Sequence, residues 1–290
     1  MRFFFRLLWR VITAPFRFLA WLPSGIRQAG EFLTFEPEDT PVGESLASAM
    51  EDPMGVLMHL NVLRVHLTRA VLVLALMTAL SFTFVEPLLE ILASPIEGGL
   101  DALRSIDPTE TIGTVMRIAL LAGFALAFPY IAFEVWLFVA PGVSARTRRF
   151  GLLGIPLTTL FFIFGMAFAF YVMLPVAMPF LFTFMGIETI PRPATYFPFV
   201  ASLMFWIGMA FEFPLVIYIL AAMKIVNARM LARQWRYAVV LIALLAAIIT
   251  PTTDPVNMAL VMAPMALLYC FGILLAFLAR RGEAKPNAVG

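Results

Sequence analysis

The feature that most constrains the fold is an apolar run from Phe197 to Met223 that contains a single charged residue, Glu212. At about 1.5 Å per residue, a helix of this length crosses the roughly 30 Å hydrocarbon core of a lipid bilayer. Glu212 would then lie inside the membrane, where insertion of an acid costs about 2.5–3.5 kcal/mol of free energy. An acid at such a position indicates a functional site. Pro214 removes the hydrogen bond to the carbonyl of Ala210 and predicts a kink beside the acid. The sequence therefore predicts a polar intramembrane site at Glu212 and Pro214.

Apolar runs of this kind recur along the chain, which is 62% hydrophobic and 13% charged, whereas soluble domains are about 45–50% apolar and 25% charged. The third run is long enough for one span and an apolar loop, with Pro175 and Pro179 predicted to end its helix, and the fifth run is barely long enough to span. We therefore predict an all-α integral membrane protein with six transmembrane helices. The runs are Ala70 to Val85, Ile118 to Phe133, Phe150 to Phe184, Phe197 to Met223, Tyr237 to Ile249 and Pro255 to Ala279.

Composition divides the chain into four segments. Residues 1–27 combine arginines with aromatic residues, and we interpret them as a basic amphipathic segment lying on an anionic membrane surface, with a weakly ordered basic tail as the alternative. Residues 28–56 are an acidic linker with several prolines. The membrane domain covers residues 57–282, and residues 283–290 form a tail.

The distribution of lysine and arginine predicts the orientation in the membrane. One set of loops, at about 86–112, 177–198 and 251–256, contains only Arg104 and Arg192 as basic residues. Apart from Arg117, just inside the second run, the remaining lysines and arginines lie in the opposite set of loops. By the positive-inside rule, both termini are expected in the cytoplasm.

Motifs of enzymatic chemistry are absent from the sequence. It contains no Gly-rich phosphate loop, no HExxH and no CxxC, and it has one cysteine and two histidines. We therefore expect a protein that is not an enzyme, carries no metal or other cofactor and binds no nucleic acid.

Five short motifs occur in order along the predicted membrane domain, and together they resemble the TatC family, the core subunit of the twin-arginine protein translocase. The resemblance covers about residues 53 to 282. The motifs are His59-Leu60-Asn61-Val62-Leu63-Arg64, Pro108-Thr109-Glu110, Val135-Trp136-Leu137-Phe138-Val139-Ala140-Pro141-Gly142, Phe211-Glu212-Phe213-Pro214 and Thr250-Pro251-Thr252-Thr253-Asp254-Pro255.

The resemblance implies a cup-like, six-helix receptor in a bacterial or archaeal cytoplasmic membrane, driven by proton motive force. It implies that the cytoplasmic face binds twin-arginine signal peptides of folded precursors, and that single-span partners of the TatA and TatB type meet Glu212 and Pro214. It also implies oligomers, either with itself or with another TatC. The implied signal-peptide residues are His59, Leu60, Leu63, Arg64, Glu134, Phe138, Pro141, Arg148 and Arg149, and the implied structural residues of the outer face are Pro95, Pro108, Glu110 and Asp254.

Two positions depart from the family pattern, since Val62 and Thr147 stand where the family usually has acids. Both departures remove negative charge from the patch expected to meet two arginines, and each lost charged hydrogen bond is worth about 1.5–3 kcal/mol. Three explanations stay open: a divergent paralogue that assists another TatC, Glu134 as a substitute acceptor, or carboxylates of the acidic linker folding over the site.

Simpler explanations exist for several of these residues. Arg64 can anchor a helix end by extending to the interface, and Arg148 and Arg149 can act only as topology determinants. A different functional class, a small ion-coupled secondary transporter using Glu212, would require an internal repeat with matching broken helices. The first half of the sequence offers no counterpart of Glu212 and Pro214 within an apolar run.

Overall fold

A computed structural model describes residues 53–140, 145–182, 190–223, 225–250 and 255–281. Within these ranges the chain is helical and forms no strand. The helices are α1 (Pro53–Ser81), α2 (Val85–Ala93), α3 (Pro108–Val139), α4 (Ala145–Phe168), α5 (Leu174–Phe182), α6 (Pro193–Ala222), α7 (Ala228–Arg233), α8 (Trp235–Ile249) and α9 (Pro255–Arg281). Short 3-10 turns occur at Phe82–Phe84 and Gly99–Ala102, and a π-helical turn occurs at Ala169–Met173. The predicted basic segment 1–27, the linker up to residue 52 and the tail 283–290 lie outside the described residues.

The predicted all-α membrane architecture is confirmed. Among the described residues, five helical stretches are long and apolar enough to cross a membrane: Leu60–Ala93, Thr109–Val139, Gly154–Pro179, Pro193–Ala222 and Pro255–Ala279. The sixth apolar helix, α8, has only 15 residues. A helix of that length rises about 22 Å, which is less than the roughly 30 Å of an average hydrocarbon core.

The prediction that Pro175 and Pro179 end the third helix is wrong. Pro175 is the second residue of α5, and Pro179 lies inside that helix, which continues to Phe182. The π-helical turn changes the hydrogen-bond register immediately before Pro175. Proline kinks a membrane helix more often than it ends one, because neighbouring groups can satisfy the carbonyls that it frees.

Helix α6 lies at the centre of the bundle and packs against α3, α4 and α9. Its buried residues, which include Phe197, Val200, Leu203 and Ile207, occur on several sides of the helix, as expected for a helix that is apolar all round. By contrast, α1 packs mainly against α3 and leaves most of its surface exposed. α6 therefore organises the bundle, and α1 lies at its edge.

Small residues allow two pairs of helices to approach closely. A Cβ atom added at Gly123 of α3 would lie 2.4 Å from the Cα of Thr78 in α1. A Cβ atom at Gly165 of α4 would lie 2.9 Å from the Cα of Gly208 in α6. Small residues are common at such contacts in membranes, where van der Waals packing drives helix association. The second contact brings α4 onto the face of α6 that carries Glu212.

Candidate functional site

A buried carboxyl group joins α1 to α3. Glu134 of α3 is 2% exposed, and its Oε2 lies 2.5 Å from Nδ1 of His66 in α1. The hydroxyl of Tyr130, one turn earlier in α3, donates a hydrogen bond of 2.5 Å to Oε1 of Glu134. Each carboxyl oxygen therefore has a partner. The α1–α3 junction, as we call Glu134, His66 and Tyr130, holds the two helices together.

The α1–α3 junction lies at the end of the bundle where α3 and α6 end. The ring of Phe138 makes an edge-on contact with His66, with centroids 6.5 Å apart. Trp136 and Ala140 are buried near the end of α3, with Ile155 of α4 and residues of α6 packed against them. We call this the basic end, because α4 carries its arginines in its first turns here.

Several predicted signal-peptide residues lie on α1 near this junction. Leu60, Leu63 and Arg64 are exposed, and so is Val62, the position where the family usually has an acid. Hydrophobic side chains therefore dominate this exposed surface of α1. His59 lies in α1, Arg148 and Arg149 lie in α4, and Pro141 is outside the described residues.

The carboxyl group of Glu212 is buried within the bundle. Glu212 is 8% exposed, and Pro214 is fully buried. The Oε1 atom of Glu212 has no hydrogen-bond partner among the residues that the structure describes. Gly208 lies four residues earlier and so on the same face of α6, at the close contact with α4. The bundle thus contains a polar group that lacks one of its hydrogen bonds in an apolar environment.

An ion pair ties the beginning of α3 to the beginning of α6 at the opposite end of the bundle. Arg192, which precedes α6, pairs with the mostly buried carboxylate of Glu110 in the first turn of α3. The hydroxyl of Ser105 also donates to Glu110. The N–H of Arg104 donates to the carbonyl of Pro191 at 3.2 Å, which joins the same two chain segments.

Three of the predicted structural residues of this end, Pro95, Pro108 and Glu110, lie in a turn or at a helix start. Asp107 caps α3, and its Oδ1 accepts hydrogen bonds of 2.8 Å from both the N–H and the hydroxyl of Thr109. These bonds hold the pKa of Asp107 below its ordinary value. Pro108 follows in the first turn of α3, and Pro95 is half-buried in the turn after α2. Asp254 lies outside the described residues.

Sequence reasoning missed the residues that complete these contacts. His66 and Tyr130 were not predicted as partners of Glu134, nor Arg192 as the partner of Glu110. It also missed Tyr196, whose buried hydroxyl donates to the carbonyl of Leu92 at 2.7 Å and ties α6 to α2. Tyr130 could have been recognised by its spacing of four residues from Glu134. For the others the sequence holds no local signal, because their partners lie far away along the chain.

Comparisons with known proteins agree with this architecture. A family model described as "Sec-independent protein translocase protein (TatC)" matches residues 58–264. The TatC protein of Carboxydothermus hydrogenoformans is 34% identical over 230 residues, which are 78% of this chain and 95% of that protein. The TatC protein of Deinococcus radiodurans is 34% identical over 253 residues, which are 83% of this chain and 91% of that protein.

A solved structure agrees as well. A crystal structure described as the twin arginine translocase receptor TatC superposes with a TM-score of 0.68 at 32% identity, and it covers 77% of this chain and 100% of that chain. Family model, relatives and structure all point the same way: the chain is a multi-pass membrane protein and belongs to the TatC family of Sec-independent protein translocase proteins.

Proposed function

We propose that this protein is the receptor subunit of a twin-arginine translocase, is not an enzyme, and acts in a bacterial or archaeal cytoplasmic membrane under proton motive force. In this proposal the basic end and both termini face the cytoplasm, as the positive-inside rule predicts. The protein binds the signal peptides of folded precursors at the basic end and recruits single-span partners of the TatA and TatB type.

The observation that carries the proposal is the α1–α3 junction. It joins the middle of α1 to the last turns of α3, and exposed Leu60 and Leu63 lie on α1 within two turns of His66, which bonds the carboxyl group of Glu134. A signal peptide combines an arginine pair with an apolar stretch. A carboxylate recognises arginine by charge-assisted hydrogen bonds, and an apolar helix face can receive the rest.

Recruitment of partners is assigned to Glu212. A buried carboxyl oxygen without a hydrogen bond is costly, and a polar group on a partner helix that displaces the covering side chains would satisfy it. Replacing Glu212 by alanine should reduce site-specific crosslinking to TatA- and TatB-type partners, while Phe213→Ala, an exposed neighbour, should leave it intact. Unchanged crosslinking in Glu212→Ala would contradict this role.

One observation favours a second candidate, a TatC paralogue that assists another TatC without binding signals itself. Val62 is an exposed apolar residue where the family usually has an acid, and both oxygens of Glu134 already have partners. An arginine of a signal peptide would have to displace His66 or Tyr130 to reach that carboxyl group.

Binding of a fluorescent signal peptide to the detergent-solubilised protein tests both candidates. A receptor binds the Arg-Arg peptide more tightly than a Lys-Lys peptide. Glu134→Gln should abolish this preference, whereas Glu90→Gln, an exposed acid of α2, should leave it unchanged. If neither peptide binds until a second TatC is added, the chain is the assisting paralogue.

A further inference from the structure

Three exposed arginines lie where α7 meets α8. Arg229 and Arg233 belong to α7, Arg236 lies in the first turn of α8, and all three are exposed. Between residues 190 and 281 the only acid in the described part of the chain is Glu212, which is buried in the bundle. We call these three residues the arginine corner. Its positive charge is therefore not neutralised by acids of the neighbouring described helices.

The arginine corner is held by specific contacts. The side chain of Asn227 caps α7 by accepting a hydrogen bond of 2.8 Å from the N–H of Met230. The hydroxyl of Tyr269 in α9 donates to the carbonyl of Leu231 at 2.7 Å. Arg229 and Arg233 are four residues apart, so they lie on the same face of α7. The corner thus has a fixed position against α9.

This position is deep relative to the apolar length of α9. Tyr269 lies ten residues before Ala279, the last residue of the apolar stretch, which corresponds to about 15 Å along a helix. Helix α8, which begins at the corner, has 15 residues and spans about 22 Å. An average hydrocarbon core is about 30 Å thick, so a helix of this length that ends at the opposite surface starts below the near surface. The arginines therefore lie at the level of lipid headgroups or beneath it, where they need anionic partners.

The aromatic residues of the corner match this location. Trp235 is 54% exposed and Tyr237 is 78% exposed, and such residues are enriched at membrane–water interfaces. The guanidinium of Arg236 lies 5.9 Å from the centre of the Trp235 ring. Further along α8, exposed Val240 and Leu244 offer the apolar surface that acyl chains would cover.

We propose that the arginine corner binds the headgroup of an anionic phospholipid. Guanidinium groups form paired hydrogen bonds with phosphate oxygens, and basic pockets between membrane helices are a common way to hold anionic lipids. The lipid neutralises the arginines and lets the membrane adapt locally to the short α8. The site is separate from the α1–α3 junction and does not depend on signal-peptide binding.

Quenching of Trp235 fluorescence by brominated lipids tests the proposal. The full chain in detergent is titrated with brominated phosphatidylglycerol, which is anionic, or with brominated phosphatidylcholine, which is zwitterionic. The signal of Trp235 is the part of the quenching that is absent in Trp235→Phe. We expect a preference for phosphatidylglycerol of about fivefold for each arginine that contacts the headgroup, which corresponds to ~1 kcal/mol per arginine.

Arginine variants show which residues cause the preference for phosphatidylglycerol. The triple variant Arg229→Gln, Arg233→Gln and Arg236→Gln should quench equally with both lipids, and the control Arg104→Gln with Arg117→Gln should keep the preference. Equal quenching of Trp235 by the two lipids overturns the proposal without the triple variant having to fold, and so does a preference that persists in the triple variant. If the acidic segment 31–52 covered the arginine corner, a preference for phosphatidylglycerol would appear only after the carboxylates of that segment were neutralised. That result would also overturn the proposal.

Discussion

Replacing Glu134 by alanine should destabilise the bundle more than removal of a typical membrane hydrogen bond. The carboxyl group is 2% exposed and has a partner on each oxygen at 2.5 Å. Its removal leaves the imidazole of His66 and the hydroxyl of Tyr130 facing a cavity. Breaking a buried pair by deleting one partner costs about 3–5 kcal/mol, whereas hydrogen bonds between membrane helices average about 0.6 kcal/mol.

The burial of Glu134 decides whether its removal costs as much as breaking a buried pair or as little as losing an average hydrogen bond between membrane helices. Because the carboxyl group is almost fully buried and the His66 side chain is only 16% exposed, hydration of the former partners can replace only part of the lost bonds, and we expect a loss of about 3 kcal/mol. Glu134→Gln keeps the shape and can still form one bond to each partner, so its loss should be smaller.

The assay is reversible unfolding of the purified protein in mixed detergent micelles, with Glu90→Ala, an exposed acid of α2, as the control. A double-mutant cycle with His66→Ala isolates the pair, and its coupling free energy should be about 1.5–3 kcal/mol. A coupling below about 0.5 kcal/mol, or a Glu134→Ala variant as stable as the control, would refute this reasoning.

Three further predictions concern packing and the outer end of the bundle. Gly123→Ala should lower the free energy of unfolding by about 1–3 kcal/mol, because the new methyl group meets the backbone of α1. In the same unfolding assay, Gly113→Ala on the same helix should not be destabilising, because its methyl group meets nothing within 4 Å. Arg192→Gln should lower the melting temperature by leaving the mostly buried carboxylate of Glu110 unpaired, and adding Glu110→Gln should recover part of the loss. The cap hydrogen bonds lower the pKa of Asp107. Their contribution to stability is therefore complete above the unfolded-state pKa of about 3.9 and is lost as the pH falls through the lower folded-state pKa. Asp107→Asn keeps a capping side chain but has no carboxyl group, so its melting temperature should depend less on pH below about 4.

The apolar runs predicted the type of helices because membrane spans are set by length and hydrophobicity, which are local properties of the sequence. Five of the six runs correspond to helical stretches long enough to cross a membrane, and the fifth run corresponds to the 15-residue α8. The same reasoning failed at Pro175 and Pro179. Whether a proline ends a helix depends on whether neighbouring groups satisfy the carbonyls that it frees, and this is a property of the packed bundle. The sequence predicted a polar site at Glu212 inside an apolar run, and the structure adds that the neighbouring helices cover this acid.

The pairing of polar residues could not be predicted in the same way. His66 and Glu134 are separated by 68 residues along the chain, and Arg192 and Glu110 by 82. A single sequence shows which polar residues lie in or beside apolar runs, but it does not show which helices are neighbours. The prediction that Glu134 binds signal peptides therefore rested on the family resemblance and on its place at the end of the second apolar run, and the structure adds that its carboxyl group bonds His66 and Tyr130.

The π-helical turn at Ala169–Met173 has a consequence for the length of the chain. A π turn holds an extra residue compared with an α-helix, and each residue turns a helix by about 100°. Deleting one residue inside the turn would restore a regular α-helix and keep both halves of the span facing their present neighbours. A deletion elsewhere in the span would rotate one half and move Phe162 or Leu174, both 0% exposed, out of the core. Related chains can therefore differ in length by one residue at this turn while every helix contact of the span is kept.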